Sequence, residues 1–144
     1  MDPMDAIKVT FFQECDEQLA ELENGLMALE SGAGDRETVN AVFRAVHSVK
    51  GGAGAFGFED LVKFAHTFET ALDLMRSDKL AIDAEALRVM LRAADVLADL
   101  VHAARDGGSV DEARCAALAE ELDHLANGDT APAATAAPAS QAEQ

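Results

Sequence analysis

Residues 39–50 read Val39-Asn40-Ala41-Val42-Phe43-Arg44-Ala45-Val46-His47-Ser48-Val49-Lys50, and glycines follow at 51, 52, 54 and 57. Val39, Val42, Phe43, Val46 and Val49 recur at steps of three and four, the repeat of an α-helix with one buried face. A half-buried strand would alternate every second residue, and no such pattern stands out in the chain. The stripe leaves His47 and Lys50 to one side, toward solvent. Being three residues apart, they share a helical face. Asp35 has the side chain of an N-cap and opens the segment.

Working outward, the three prolines are Pro3, Pro132 and Pro138, so nothing breaks a helix between residues 4 and 131. Glycine clusters divide that span into pieces of helical length. The first runs from about Asp5 to Ser31, with Phe12, Cys15, Leu19, Leu22, Leu26 and Leu29 as its seam. The third follows Gly57 and ends near Arg76, with Leu61, Ala65, Phe68, Leu72 and Met75 inward. The fourth starts at Asp83, buries Leu87, Met90, Ala94, Leu97 and Val101, and stops at Gly107 and Gly108. Ser109, with Glu112 three residues on, has the form of a capping box and predicts the start of a fifth. Its stripe is Leu118, Leu122 and Leu125. Short turns between such helices predict an all-α fold: an antiparallel up-down four-helix bundle with an additional fifth C-terminal helix, over residues 1–127. Residues 128–144 carry no large apolar side chain and read as a flexible Ala/Pro-rich linker toward further domains.

The charge excludes several function classes. With 27 acidic and 11 basic residues the net charge is −16, the opposite of a phosphate-neutralising footprint, so no nucleic-acid partner is expected. Adsorption to anionic lipid is disfavoured for the same reason. The acidic N-terminus resembles no signal peptide, and no run is long enough to span a membrane. Cys15 and Cys115 are 100 residues apart without a paired motif, which fits two buried thiols in a reducing, cytoplasmic setting.

Of the four histidines, His102 and His124 read as surface or edge residues without a task. His47 does not. Two glycines follow one turn later, and a glycine pair inside a helix costs roughly 1–2 kcal/mol relative to alanines. Either the helix ends there, or bare backbone at Gly51 and Gly52 lets another protein approach His47. In a hairpin turning at Gly57, position 47 stands level with position 67. His66 and Glu69 lie within about two residues of that level, a few ångströms at ~1.5 Å of rise per residue. They are i,i+3 neighbours beside the third stripe, so both flank His47 across the groove. A carboxylate that holds Nδ1–H of an imidazole fixes its tautomer and presents Nε2 as a nucleophile. A lysine one turn away offsets the charge of an incoming anion. Those groups suit acceptance of a phosphoryl group, and no base for activating water accompanies them. An incidental salt-linked groove, a metal site at His47, His66 and Glu69, and an idle scaffold or dimerisation bundle are the alternatives. Residues 52–57 also match GxGxxG, but a helix precedes them where a dinucleotide fold needs a strand.

The run from His47 to Phe58, followed by Leu61, His66, Glu69 and Leu72, resembles a histidine phosphotransfer (HPt) domain. More narrowly it is similar to the N-terminal phosphotransfer domain of CheA-type chemotaxis histidine kinases. The opening, with Phe11-Phe12 in an acidic leucine-rich helix, is similar too, and the likeness covers about residues 5–126. The resemblance implies that His47 accepts the γ-phosphoryl of ATP from a separate kinase domain and passes it to an aspartate of CheY- or CheB-type response regulators. It implies that Lys50, His66 and Glu69 form a hydrogen-bonded network around His47. It also implies a monomeric domain that is the phosphoacceptor part of a histidine protein kinase. Such a domain has no ATP site, metal or cofactor of its own, since ATP and Mg²⁺ serve the separate kinase domain.

Overall fold

The computed structural model describes residues 2–127, which form five α-helices and no strand. They are α1 (Pro3–Glu30), α2 (Arg36–Phe56), α3 (Glu59–Arg76), α4 (Ala84–Asp106) and α5 (Glu112–Ala126). α1 packs on α2, α2 on α3, α3 on α4 and α4 back on α1, and α5 lies against α3 and α4. This is the expected four-helix ring with a fifth rod. The linker expected over 128–144 lies outside the described residues. No helix among those described is long and apolar enough to cross a membrane.

The stripes read from the sequence meet at the axis. Leu22, Leu26, Val42, Val46, Leu61, Phe68, Leu72, Met90 and Leu97 are all closed from solvent. Burying each such side chain is worth roughly 1.5–3 kcal/mol. The buried set is wider than the expected stripes, taking in Phe64, Val89, Val96 and Leu100, and it departs from them in α1 and α2. Phe11 joins Phe12 in the core, whereas Leu19 and Phe43 are only half-buried.

Helix ends follow local chemistry. Asp35 caps α2 as expected: its carboxylate accepts from the Thr38 N–H at 3.0 Å, and the Thr38 hydroxyl accepts from the Asp35 N–H at 3.1 Å. α1 begins two residues earlier than expected, because Asp2 caps it and Pro3 occupies its first turn. The Ser109 capping box does not form. Asp111 caps α5 instead, accepting from the Ala113 N–H at 3.0 Å. The later start leaves Val110 just outside the cap and Cys115 at the fourth helical position, both packed against the core. A hydrophobic pair at those two positions sets the entry angle of the chain.

α2 passes straight through Gly51, Gly52 and Gly54 and stops only at Gly57, whose φ of 73° is left-handed. There the Phe58 N–H bonds to the Ala53 carbonyl at 3.1 Å, closing the helix and reversing the chain into α3. The turn is pinned by rings: Phe11 lies 5.3 Å from Phe56 and 6.3 Å from Phe58, centroid to centroid. The α2–α3 hairpin, which carries the candidate site, is thereby fixed to α1.

Candidate functional site

His47 lies midway along α2 with a side chain 61% exposed, while Glu69 on α3 is nearly closed from solvent. Glu69 is the one buried charged residue among those described. Its two carboxylate oxygens are divided between two partners. Oε2 meets His47 Nδ1, and Oε1 accepts from Lys50 Nζ at 2.6 Å. A hydrogen bond with an ionised carboxylate puts the proton on Nδ1, because the carboxylate only accepts. In the neutral ring the lone pair is then on Nε2.

Burial pushes the Glu69 carboxyl up. The hydrogen bonds from Lys50 and His47, together with the charges behind them, outweigh that effect and hold it below its ordinary value. The group stays ionised at neutral pH, as the tautomer argument needs.

His66 is brought to the same groove but plays a lesser geometric part. Its Nδ1 stands 3.9 Å from Glu69 Oε1, beyond hydrogen-bond reach. The i,i+3 spacing places the two side chains together, but both Glu69 oxygens are already engaged.

The two glycines differ. A Cβ on Gly51 would meet nothing within 4 Å, so the backbone one turn after His47 is open to an approaching surface. A Cβ on Gly52 would lie 2.3 Å from Phe11 Cε1. Gly52 therefore lets α1 and α2 approach each other, a packing reason the sequence reading did not offer for it.

Two further residues frame the histidine. Phe43, expected wholly within the buried stripe, lies one turn before His47 and stacks on it, with centroids 5.9 Å apart and planes 12° from parallel. The Arg76 guanidinium of α3 sits 3.9 Å from the centre of the Phe43 ring. The i,i+4 spacing of Phe43 and His47 was visible in the sequence as a signal for this stack. Arg76, at the far end of α3, gave none.

His102 stands 3.7 Å from Asp16 on the α1–α4 side, away from this groove. No group of three or more His, Cys, Asp or Glu side chains among the described residues is placed to hold a metal ion.

An exposed imidazole oriented by a buried acid on the neighbouring antiparallel helix is a specific arrangement, and it coincides with a family match. Residues 6–128 match the Hpt domain family. The chain belongs to the Hpt family.

Within it, the domain is of the kind found at the N-terminus of CheA. It is 66% identical over 131 residues to the chemotaxis protein CheA of Rhizobium meliloti (strain 1021), covering 91% of this chain and 17% of that protein. It is 50% identical over 110 residues to the chemotaxis protein CheA of Cereibacter sphaeroides, covering 74% of this chain and 16% of that one. The chain thus spans less than a fifth of these relatives. Among solved structures, it superposes on the phosphorylated P1 domain of CheA3 in complex with CheY6 from R. sphaeroides. That match has a TM-score of 0.77 at 28% identity and covers 88% of this chain and 99% of that one.

Proposed function

We propose that this Hpt domain is the phosphoryl carrier of a two-component chemotaxis system, with His47 as the group that is modified. The observation that carries this reading is the exposed His47 ring whose Nδ1 is held by buried Glu69. The likeness to a phosphorylated P1 domain complexed with a CheY protein supports it.

The Nε2 lone pair attacks the γ-phosphorus of ATP presented by a separate kinase domain. The N–P bond forms as the bond to the β–γ bridging oxygen breaks, and ADP leaves with that electron pair. The Nδ1 proton stays in place on its hydrogen bond. The phosphorylated ring is therefore cationic, and Glu69 stabilises it. Lys50, held against Glu69, offsets the phosphoryl charge; its three donors allow it to serve both. In the second step a carboxylate oxygen of a response-regulator aspartate attacks phosphorus and the N–P bond breaks. The electron pair returns to Nε2 and restores the neutral ring. His66 contributes at longer range to the same groove, and Gly51 admits the partner.

The partners are a histidine-kinase catalytic domain and response regulators of the CheY or CheB type. ATP and Mg²⁺ act on the kinase domain, with no cofactor held by this one. The domain works as a monomer in the cytoplasm.

The test is incubation of the chain with a CheA-type kinase core and γ-labelled ATP. Label that is acid-labile and base-stable, and absent from His47→Gln, is the expected result. Label that persists in His47→Gln overturns the assignment.

A further inference from the structure

Beyond the hydrogen bond to Glu69, His47 has a second constraint. The ring turns about its Cα–Cβ and Cβ–Cγ bonds, and the Nδ1 hydrogen bond restrains both torsions without locking them, because a hydrogen bond tolerates bending. A second ring parallel to the first narrows the remaining play. Phe43 provides it, its plane within 12° of the imidazole at a centroid distance of 5.9 Å. Phe43 is itself only half-buried, so packing does not fully fix it. The guanidinium of Arg76 covers it at 3.9 Å, and that guanidinium is anchored by Asp73 Oδ1 at 2.5 Å. α3 therefore reaches His47 twice, once through Glu69 and once through Arg76 and Phe43.

We infer that Phe43 and Arg76 are positioning residues, whose stack sets the plane of the His47 ring and so aims Nε2 at the incoming phosphorus. The inference deepens the phosphoacceptor reading of His47 and rests on it for its kinetic consequence. Its physical basis is that holding a nucleophile near its attack geometry removes an orientational cost from the barrier. A stack of this kind contributes modestly beside the charge-assisted hydrogen bond. Tautomer control belongs to Glu69 and plane control to Phe43, so loss of the stack leaves the tautomer intact.

The experiment uses Phe43→Leu and the conservative Phe43→Tyr, with folding of each checked by its amide spectrum. In the unphosphorylated domain, ¹³C relaxation of the His47 ring reports its order, and imidazole ¹⁵N shifts report its tautomer. Phe43→Leu is expected to loosen the ring with the ¹⁵N pattern unchanged, and Phe43→Tyr to restore wild-type order. With a kinase core and labelled ATP, Phe43→Leu is expected to lower kcat about three- to tenfold with little change in KM for the domain. Arg76→Ala is expected to fall between it and wild type. An equally ordered ring in Phe43→Leu overturns the inference whatever the kinetics. A loosened ring with wild-type kcat overturns its catalytic consequence. If wild-type His47 takes no label, the carrier reading fails, and the ring measurement still decides whether the stack orients His47.

Discussion

Nδ1 of His47 and Oε2 of Glu69 meet across the α2–α3 groove, although the histidine side chain is 61% exposed and the glutamate 11%. That asymmetry divides the labour. An acid in open water exchanges partners freely, whereas one enclosed by protein keeps its oxygens aimed at His47 and Lys50. The imidazole takes its orientation from the interior and offers its reactive edge to the outside.

Replacing Glu69 by Gln keeps the shape and removes the charge. The amide can turn its NH₂ toward the ring and favour the tautomer with the proton on Nε2, which blocks the nucleophile. A charge-assisted hydrogen bond of ~1.5–3 kcal/mol corresponds to roughly 10- to 100-fold in rate. Phosphorylation of Glu69→Gln by a kinase core is expected to slow by about that factor, with the helical circular dichroism unchanged. Unchanged kinetics would remove Glu69 from the mechanism.

The same carboxyl makes stability depend on acid. Its folded-state value is lowered, so an unfolded chain takes up the proton first as pH falls. The contribution is fully present above the unfolded value, about 4.3 for a glutamate, and is lost as pH falls through the lower folded value. Urea unfolding of wild type and Glu69→Gln between pH 5 and pH 3 checks the sign. The wild-type advantage is expected to shrink as pH falls; a constant or growing advantage contradicts it.

Much of this was legible in residue order. Gly57 as the turn placed Glu69 beside His47, because an antiparallel helical hairpin has one level for each position. The apolar stripes located the core because the helical repeat leaves little choice of face. What escaped depends on side-chain contacts across elements. Gly52 is explained by a ring 41 positions earlier, and half-buried Phe43 lies under the Arg76 guanidinium. Ser109 and Asp111 both carry capping side chains; the cap at Asp111 is accompanied by partly buried Val110 packed against the core. The expectation of two buried thiols holds for Cys15 but only in part for Cys115, which is half-exposed on α5.

The two cysteines should accordingly react differently. Burial, with Asp16 and Glu14 nearby, pushes the Cys15 thiol up to about 12. At pH 8 its thiolate is then on the order of one part in ten thousand, and the thiolate is the reactive form. Cys115 is also raised, mainly by burial, but Arg114 offsets part of this. A disulfide-exchange reagent at pH 8 is expected to label Cys115 slowly in the folded protein and Cys15 only in denaturant. Mass spectrometry of the labelled peptides distinguishes the two sites, and prompt labelling of Cys15 in the native state contradicts the expectation.

The adjacent glycines give opposed outcomes for one substitution. Alanine at Gly51 meets open space and gains helix propensity, so Gly51→Ala is expected to stabilise by up to ~1 kcal/mol. Alanine at Gly52 gains the same propensity but drives its Cβ into the Phe11 ring. That ring is boxed in by Phe12 at 5.0 Å and Phe56 at 5.3 Å. Overpacking of this sort costs ~1–3 kcal/mol, so Gly52→Ala is expected to be net destabilising in urea unfolding. Phosphotransfer separates the roles further. If partners approach over Gly51, Gly51→Ala slows phosphorylation or transfer to a regulator while the fold becomes more stable. A Gly51→Ala domain that is stabilised and transfers at the wild-type rate would move the docking surface away from this turn of α2.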